Sequence, residues 1–219
     1  MKIYPSITGN TKKELEEKID EVNNLKIKEI PLFVQRLTKV ERKVIYQLLE
    51  KSTVKRIPLV HIKNKMNLEE LEYLKREFNT DYFTIHESGF DHLDKWTGFE
   101  KDLFLEMSTD DTVKDNVKVE NIGGFCVDLS HYKKQKDRET IDYEYVYNRR
   151  KETQLFKCNH VSGYSPQQMT DLHFVDTVSS FDYLKELPGF VFGEVVAIEV
   201  FNSIARQLEF KKYIENLLT

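Results

Sequence analysis

Hydrophobic residues along this chain form eight short runs that are separated by longer amphipathic stretches. Each run is rich in Ile, Val, Phe or Leu and has the length of a β-strand. The predicted strands cover residues 2–8, 28–34, 57–62, 81–86, 102–107, 123–129, 154–160 and 195–201.

Between these strands, leucine and isoleucine recur three or four positions apart with charged residues on the opposite face, which predicts amphipathic helices. The clearest helices cover residues 12–24, 39–49 and 68–78, and later candidates cover 141–153, 181–187 and 203–218. Thr11 with Glu14, and Asn67 with Glu70, have the spacing of helix N-terminal caps. Residues 90–97 and 110–120 predict only a short helix or a loop.

Strands that alternate with helices predict parallel β/α units, which either close into an eight-stranded barrel or spread into an open, doubly wound sheet. No glycine fingerprint for a dinucleotide follows the first strand. A barrel of this type needs as few as about 200 residues, and the chain has 219. We therefore predict a single α/β domain over residues 1–219, a compact (β/α)8 TIM barrel with some shortened outer helices.

Composition narrows the class of protein. The chain has 33 Lys and Arg against 37 Asp and Glu, a net charge of -4, so a broad nucleic-acid-binding face is disfavoured. Cys126 and Cys158 lie in apolar runs without the spacing of a metal or disulfide motif, which predicts buried, reduced thiols.

The N-terminus lacks a signal peptide's apolar stretch, and no segment approaches the ~20 apolar residues of a membrane helix. We expect a cytoplasmic protein without a membrane partner.

In a TIM barrel the active site lies at the C-terminal ends of the strands, and here those ends carry many ionisable residues. In chain order they are His61, His86, Glu106, Asp128, His160 and Glu199. His131 comes three residues after Asp128, and Asp171 and His173 come after strand seven. Five of the six histidines therefore fall at the predicted mouth of the barrel.

A carboxylate inside an apolar strand costs several kcal/mol unless it is paired or binds a metal, and one metal centre compensates several of them. We therefore interpret one set of residues as ligands of a divalent metal: Glu106, Asp128, His160 and Glu199. A second set comprises further metal ligands or substrate contacts: His61, His86, His131, Asp171 and His173. Such ligands suit Zn²⁺, Mn²⁺, Co²⁺ or Fe²⁺ better than Ca²⁺ or Mg²⁺. A lone histidine at a strand end is more often a core residue than a ligand, so the interpretation depends on the whole set.

This arrangement resembles the xylose isomerase-like barrels over nearly the whole chain. That superfamily includes sugar and sugar-phosphate isomerases and epimerases, and also zinc-dependent apurinic-site endonucleases. In the epimerase branch, Glu, Asp, His and Glu at the ends of strands five to eight hold the metal, and they match Glu106, Asp128, His160 and Glu199. The resemblance implies that neighbouring sugar oxygens chelate the metal, that Glu106 and Glu199 carry protons, and that His131 holds a sugar hydroxyl.

The endonuclease branch binds three metals, with additional histidines on strands three and four and a DxH motif after strand seven. His61, His86, Asp171 and His173 stand in those places. The resemblance then implies a multinuclear zinc centre, bridged by Glu106, that hydrolyses phosphoesters. The chain departs from this branch in its short length and in the segment FVDTVSSF, which replaces a glycine-rich continuation after DxH.

Three functions remain open. We predict first a divalent-metal-dependent sugar or sugar-phosphate isomerase or epimerase, with one to three zinc, manganese or cobalt ions. The second function is the phosphoester hydrolase. The third is a catalytically silent barrel that acts as a binding module, although such a barrel has no reason to keep so many buried ionisable groups.

Two further expectations concern the surroundings of the site. Basic residues that follow strand six are candidates for binding a substrate phosphate or carboxylate, although a solvated charge run is commoner. They are Lys133, Lys134, Lys136 and Arg138. The weak helical pattern at 110–120 leaves barrel surface for a second copy of the chain to cover, so a homo-oligomer is possible.

Overall fold

Parallel strands form one curled sheet in the computed structural model, which describes residues 1–219. Seven of its strands are β1 (Lys2–Tyr4), β2 (Leu32–Phe33), β3 (Leu59–His61), β4 (Tyr82–His86), β5 (Leu103–Glu106), β6 (Gly124–Asp128) and β7 (Phe156–Val161). A separate antiparallel hairpin of β8 (Gly163–Ser165) and β9 (Thr170–Leu172) follows, and then β10 (Val195–Ile198) completes the sheet.

The sheet closes into a barrel because its first and last strands meet. β10 lies between β7 and β1, and Lys2 is in register with Val195. Pro5 has no N–H to donate, so the β1 ladder stops before it, and pairing resumes as a parallel bridge between Ile7 and Leu32. The N–H of Ile7 donates to the carbonyl of Pro31 at 3.0 Å. The predicted (β/α)8 TIM barrel is therefore confirmed.

Six α-helices pack outside the barrel: α1 (Lys12–Asn24), α2 (Lys39–Glu50), α3 (Leu68–Phe78), α4 (Leu129–Arg138), α5 (Ile141–Tyr147) and α6 (Ile204–Leu217). Thr11 and Glu14 form the predicted capping box of α1, and Asn67 caps α3 by accepting a hydrogen bond from the Glu70 N–H. No helix in the structure has both the length and the apolar character needed to cross a membrane.

The outer ring of helices is incomplete in several places. Residues Glu87–Trp96 after β4 and Val178–Glu186 before β10 form 3₁₀ segments, so the helix predicted at 181–187 is not an α-helix. The helix predicted at 141–153 ends at Tyr147, because the Arg149 side chain bonds the Tyr145 carbonyl in the last turn. The prediction of shortened outer helices is therefore confirmed, although the helices predicted at 141–153 and 181–187 differ from the structure in length or type.

The hydrophobic pattern did not predict α4, which has few apolar positions. Tyr132 and Gln135 face the barrel and are buried. Gln135 takes a place where an apolar residue is usual and donates its side-chain amide to the carbonyl of Ser108. Because this buried position is polar, the pattern of hydrophobic residues does not show the helical periodicity of α4.

Inside the barrel, apolar side chains lie one layer below the strand ends. Leu59, Phe104, Cys126, Cys158 and Ala197 belong to one buried cluster, and both cysteines are free thiols as predicted. Each of the five precedes an ionisable residue by two positions, and side chains two apart in a strand share a face. The barrel interior is therefore apolar below and ionisable above.

A buried carboxyl group fixes the loop that follows β5. Asp142 in α5 has no exposed surface, and its Oδ2 accepts the Asp111 N–H at 3.0 Å while its Oδ1 has no partner. Burial, with the nearby Glu87, Asp110 and Asp111 carboxylates, raises the pKa of Asp142 to about 7. The folded protein therefore holds a proton here that the unfolded chain loses at lower pH.

We expect the stability contributed by this proton to be complete below about pH 4 and to be lost as the pH rises through 7. Asp142→Asn mimics the protonated group, so it should stabilise the protein by about 1 to 2 kcal/mol at pH 8 and make little difference at pH 4. Urea unfolding of both proteins at the two pH values measures this. An equal effect at both would contradict the assignment.

Candidate metal centre

Four buried side chains at the strand ends converge on one point. Ligand atoms of Glu106, Asp128, His160 and Glu199 all lie within 4.8 Å of one another. Register explains part of this convergence, because Asp128 on β6 is directly opposite His160 on β7. Glu106 ends β5, and Glu199 follows β10. The sequence interpretation named the same four residues.

His61 belongs to a second group at the same centre. Ligand atoms of His61, Glu106 and His160 also lie within 4.8 Å of one another. The His61 ring stacks on that of His160 with a centroid separation of 5.1 Å, and Phe33 packs against both rings. The two groups share Glu106 and His160, so the centre has room for ligands of more than one ion.

The two ring nitrogens of His160 face different partners. Its Nδ1 lies 3.1 Å from Glu106 Oε2 and 3.4 Å from Glu199 Oε2. Its Nε2 lies 3.3 Å from Thr84 Oγ1. With Nδ1 reserved for a metal, Nε2 carries the proton and donates it to the threonine hydroxyl, an arrangement typical of metal-binding histidines.

Asp128 is held by one oxygen and leaves the other free. Its Oδ1 accepts the N–H groups of Ser130 and His131, each at 2.9 Å, as the N-terminal cap of α4. The same oxygen accepts the Ser130 hydroxyl at 2.7 Å, and that hydroxyl also contacts Ser162. Oδ2 has no hydrogen-bond partner, so the carboxylate presents a free lone pair to the centre.

Most unpartnered buried polar atoms of the protein lie at this site. Nine buried side-chain nitrogen and oxygen atoms lack a hydrogen bond. Six belong here: His61 Nδ1 and Nε2, Glu106 Oε2, Asp128 Oδ2, His131 Nδ1 and His160 Nδ1. Each such atom costs roughly 1 to 3 kcal/mol when left unpaired, and a divalent cation satisfies several of them together. The donor set therefore fits a metal ion of the Zn²⁺, Mn²⁺ or Co²⁺ type.

The protonation preferences of these groups differ. Burial lowers the pKa of His61 well below its usual value despite the adjacent Glu106, so its ring is neutral and offers a lone pair. Burial opposes ionisation of Glu106, but His160, His86 and His61 hold its pKa well below its usual value. Burial raises the pKa of Glu199 to about 7. The two glutamates thus differ in affinity for a proton.

His131, Asp171 and His173 form an outer group above the four inner residues. Asp171 Oδ2 lies 3.3 Å from His173 Nε2 and 3.8 Å from His131 Nε2. His131 Nδ1 in turn lies 3.7 Å from Glu106 Oε1. Burial disfavours the charged ring of His131, but Asp128 and Asp171 raise its pKa to about 10. The outer group therefore contacts the inner one through His131, and also through His173, whose Nδ1 lies 3.0 Å from the Glu199 carbonyl oxygen.

His86 completes the set. It is in register with Glu106, and its ring centroid is 4.8 Å from that of His61. Its side chain is only partly buried. All nine ionisable residues singled out in the sequence therefore lie at the mouth of the barrel, around two overlapping groups of ligand atoms.

The basic residues of α4 are largely engaged in contacts of their own. Lys133 contacts Asp137 and Glu186, with Nζ to oxygen distances of 2.6 and 3.0 Å. Lys136 donates to the Glu186 carbonyl at 3.3 Å, and Arg138 donates to the Met169 carbonyl. These contacts attach α4 to the segments that follow β7. Lys134 instead lies beside Asp171.

No protein-family model and no curated protein matches the sequence. Among solved structures, the chain is similar to one described as the crystal structure of a D-tagatose 3-epimerase-like protein, with a TM-score of 0.53 and 17% sequence identity. The match covers 100% of this chain and 98% of that chain. The two proteins share the TIM-barrel fold. At this identity, the likeness establishes the fold.

Sequence reasoning missed the residues that orient the candidate ligands. Thr84, Ser130 and Ser162 are fully buried and polar. Thr84 precedes His86 by two positions, so the sequence predicts that its side chain faces the inside of the barrel. A buried threonine alone, however, does not indicate a hydrogen bond to a histidine distant in sequence. Contacts between residues remote in sequence are seen only in the structure.

We expect Thr84→Val to weaken divalent-metal binding by ~10-fold, because the His160 Nε2–H loses its acceptor while the side-chain shape is kept. Thr80→Val is a matched control, since Thr80 is equally buried but bonds the Leu74 carbonyl away from the centre. Titration of Mn²⁺ and Zn²⁺ by calorimetry tests this. Equal metal affinities in both variants would show that the threonine does not orient His160.

Proposed function

We propose that this protein is a divalent-metal-dependent sugar or sugar-phosphate isomerase or epimerase. The observation that carries the proposal is the group of Glu106, Asp128, His160 and Glu199, four buried side chains with ligand atoms within 4.8 Å of one another. The epimerase-like description of a structural neighbour that spans the whole chain adds support at the level of the fold.

A bound divalent ion supplies Lewis acidity, which favours the charge that develops on sugar oxygens during isomerisation. Glu106 ends β5 and Glu199 follows β10, so the two carboxylates reach the centre from different strands. One would take a proton from the carbon beside a carbonyl and the other would return it. His131 lies at the edge of the centre, where its ring nitrogen can donate to a substrate hydroxyl.

The barrel itself excludes water from the lower side of the reaction. The apolar layer of Leu59, Phe104, Cys126, Cys158 and Ala197 lies beneath the ionisable residues and is fully buried. A reacting sugar is therefore approached by solvent only through the mouth. Exclusion of water strengthens the electrostatic interactions within the centre and limits side reactions.

A multinuclear phosphoester hydrolase is the second candidate. The group of His61, Glu106 and His160 favours it, because Glu106 then belongs to two sets of ligands and is placed to bridge two ions. The outer contacts of Asp171 with His131 and His173 provide a third set. A mononuclear isomerase has no need of these additional groups.

Metal content distinguishes the two candidates. For the isomerase, we expect one ion per chain, retained in the double variant His61→Ala with His86→Ala and lost in His160→Ala. Elemental analysis of protein purified without chelator measures this, with His92→Ala as a control because His92 lies outside the site. Two or three zinc ions, with about one lost in the double variant, would instead favour the hydrolase.

We also expect Glu106→Gln and Glu199→Gln to lower kcat on the best ketose or ketose phosphate by ~100-fold or more, because each removes a proton carrier. Proton exchange between substrate and solvent, followed by NMR, is the direct readout. Exchange that persists in both variants would contradict these roles. Activity on phosphodiesters alone would replace the proposal with the second candidate.

A further inference from the structure

Lys134 projects from the same face of α4 as His131, one helical turn further on. Its Nζ lies 3.8 Å from Asp171 Oδ1, which is too long for a hydrogen bond. The other carboxylate oxygen of Asp171 faces His131, which contacts Glu106. Lys134 is therefore separated from the metal centre by only the side chains of Asp171 and His131.

The ammonium of Lys134 makes no hydrogen bond to the protein, and its ion-pair partner is Asp171; the side chain is 17% exposed. Its neighbours Lys133, Lys136 and Arg138 each bond to a carboxylate or a carbonyl. Asp171 does not require Lys134, since His173 and His131 already face its Oδ2 at 3.3 and 3.8 Å. A partly buried ammonium with only one long ion-pair contact can accept a further anionic partner from a bound molecule.

We propose that Lys134 binds an anionic oxygen group of the substrate, either a phosphate or a carboxylate, while other oxygens of the same molecule lie at the metal centre. This inference rests on the proposed function and narrows its substrates to phosphorylated or acidic sugars. An anionic group offers the charge and the acceptors that the ammonium lacks. The amphipathic lysine stem lies against protein, which directs the charged end toward the mouth of the barrel.

The test uses manganese-loaded protein and three small probes that share vicinal hydroxyl groups: glycerol 3-phosphate, glycerate and glycerol. Calorimetry measures their affinities for the wild type, Lys134→Met and Lys134→Arg. Lys136→Met is the matched control, because it removes a lysine from the same helix that bonds elsewhere. Thermal unfolding of each variant, and its Mn²⁺ affinity, establish that the centre is intact.

We expect glycerol 3-phosphate or glycerate to bind the wild type at least ~10-fold more tightly than glycerol does. One charge-assisted contact contributes a difference in affinity of this size. Lys134→Met should remove that advantage, whereas Lys134→Arg and Lys136→Met should retain most of it. Preference for the phosphate or for the carboxylate probe identifies the source of the anionic group.

Equal binding of the anionic probes by wild type and Lys134→Met, or equal binding of all three probes by the wild type, would overturn this inference while leaving the proposed function intact. Absence of Mn²⁺ binding in the wild type would overturn the proposed function itself. The metal titration therefore separates the two failures.

Discussion

Carboxylates and imidazoles are buried at the ends of the barrel strands, and several of their polar atoms have no hydrogen-bond partner. Glu106, Asp128 and His160 are almost completely inaccessible to solvent. Their desolvation opposes folding, and contacts such as the 3.1 Å approach of His160 to Glu106 only partly offset it. A barrel without function has no physical reason to retain such an arrangement, since apolar residues of similar size fill the same space more stably.

The strand period of two explains how the barrel tolerates this layer. Below five of the ionisable residues lies an apolar one on the same strand face, such as Phe104 beneath Glu106 and Cys158 beneath His160. Around the ligands, fixed donors hold one atom of a side chain and leave another free. Ser130 and the cap of α4 occupy one oxygen of Asp128, and Thr84 occupies one nitrogen of His160. The hydrogen bonds on one side of each group keep the unpartnered atoms directed toward the centre.

Sequence alone predicted the barrel and placed nine ionisable residues at its mouth, because strand ends are marked by local pattern. It did not predict α4, whose buried face relies on Gln135 and its contact with Ser108 rather than on apolar periodicity. It also overextended the helix after residue 141, where arginine side chains bond the last-turn carbonyls. The orienting residues Thr84 and Ser162 were not predicted either, because their hydrogen bonds join residues that are 76 and 32 positions apart in the sequence.

The inner and outer groups of the centre differ in how firmly they are held, and this difference bears on how one fold serves different reactions. The inner ligands lie on or directly after barrel strands with parallel partners on both sides. Asp171 and His173, in contrast, lie in and after the β8–β9 hairpin, whose strands pair only with each other. Arg138 attaches the hairpin to α4, and hydrogen bonds with Glu199 and Phe201 attach His173 to the segment after β10. Under the proposed function, a first ion would be held by residues on or directly after barrel strands, whereas further ions would depend on the positions of the hairpin and α4. Lys134 lies at the junction of these two elements, which is why it is placed to influence specificity.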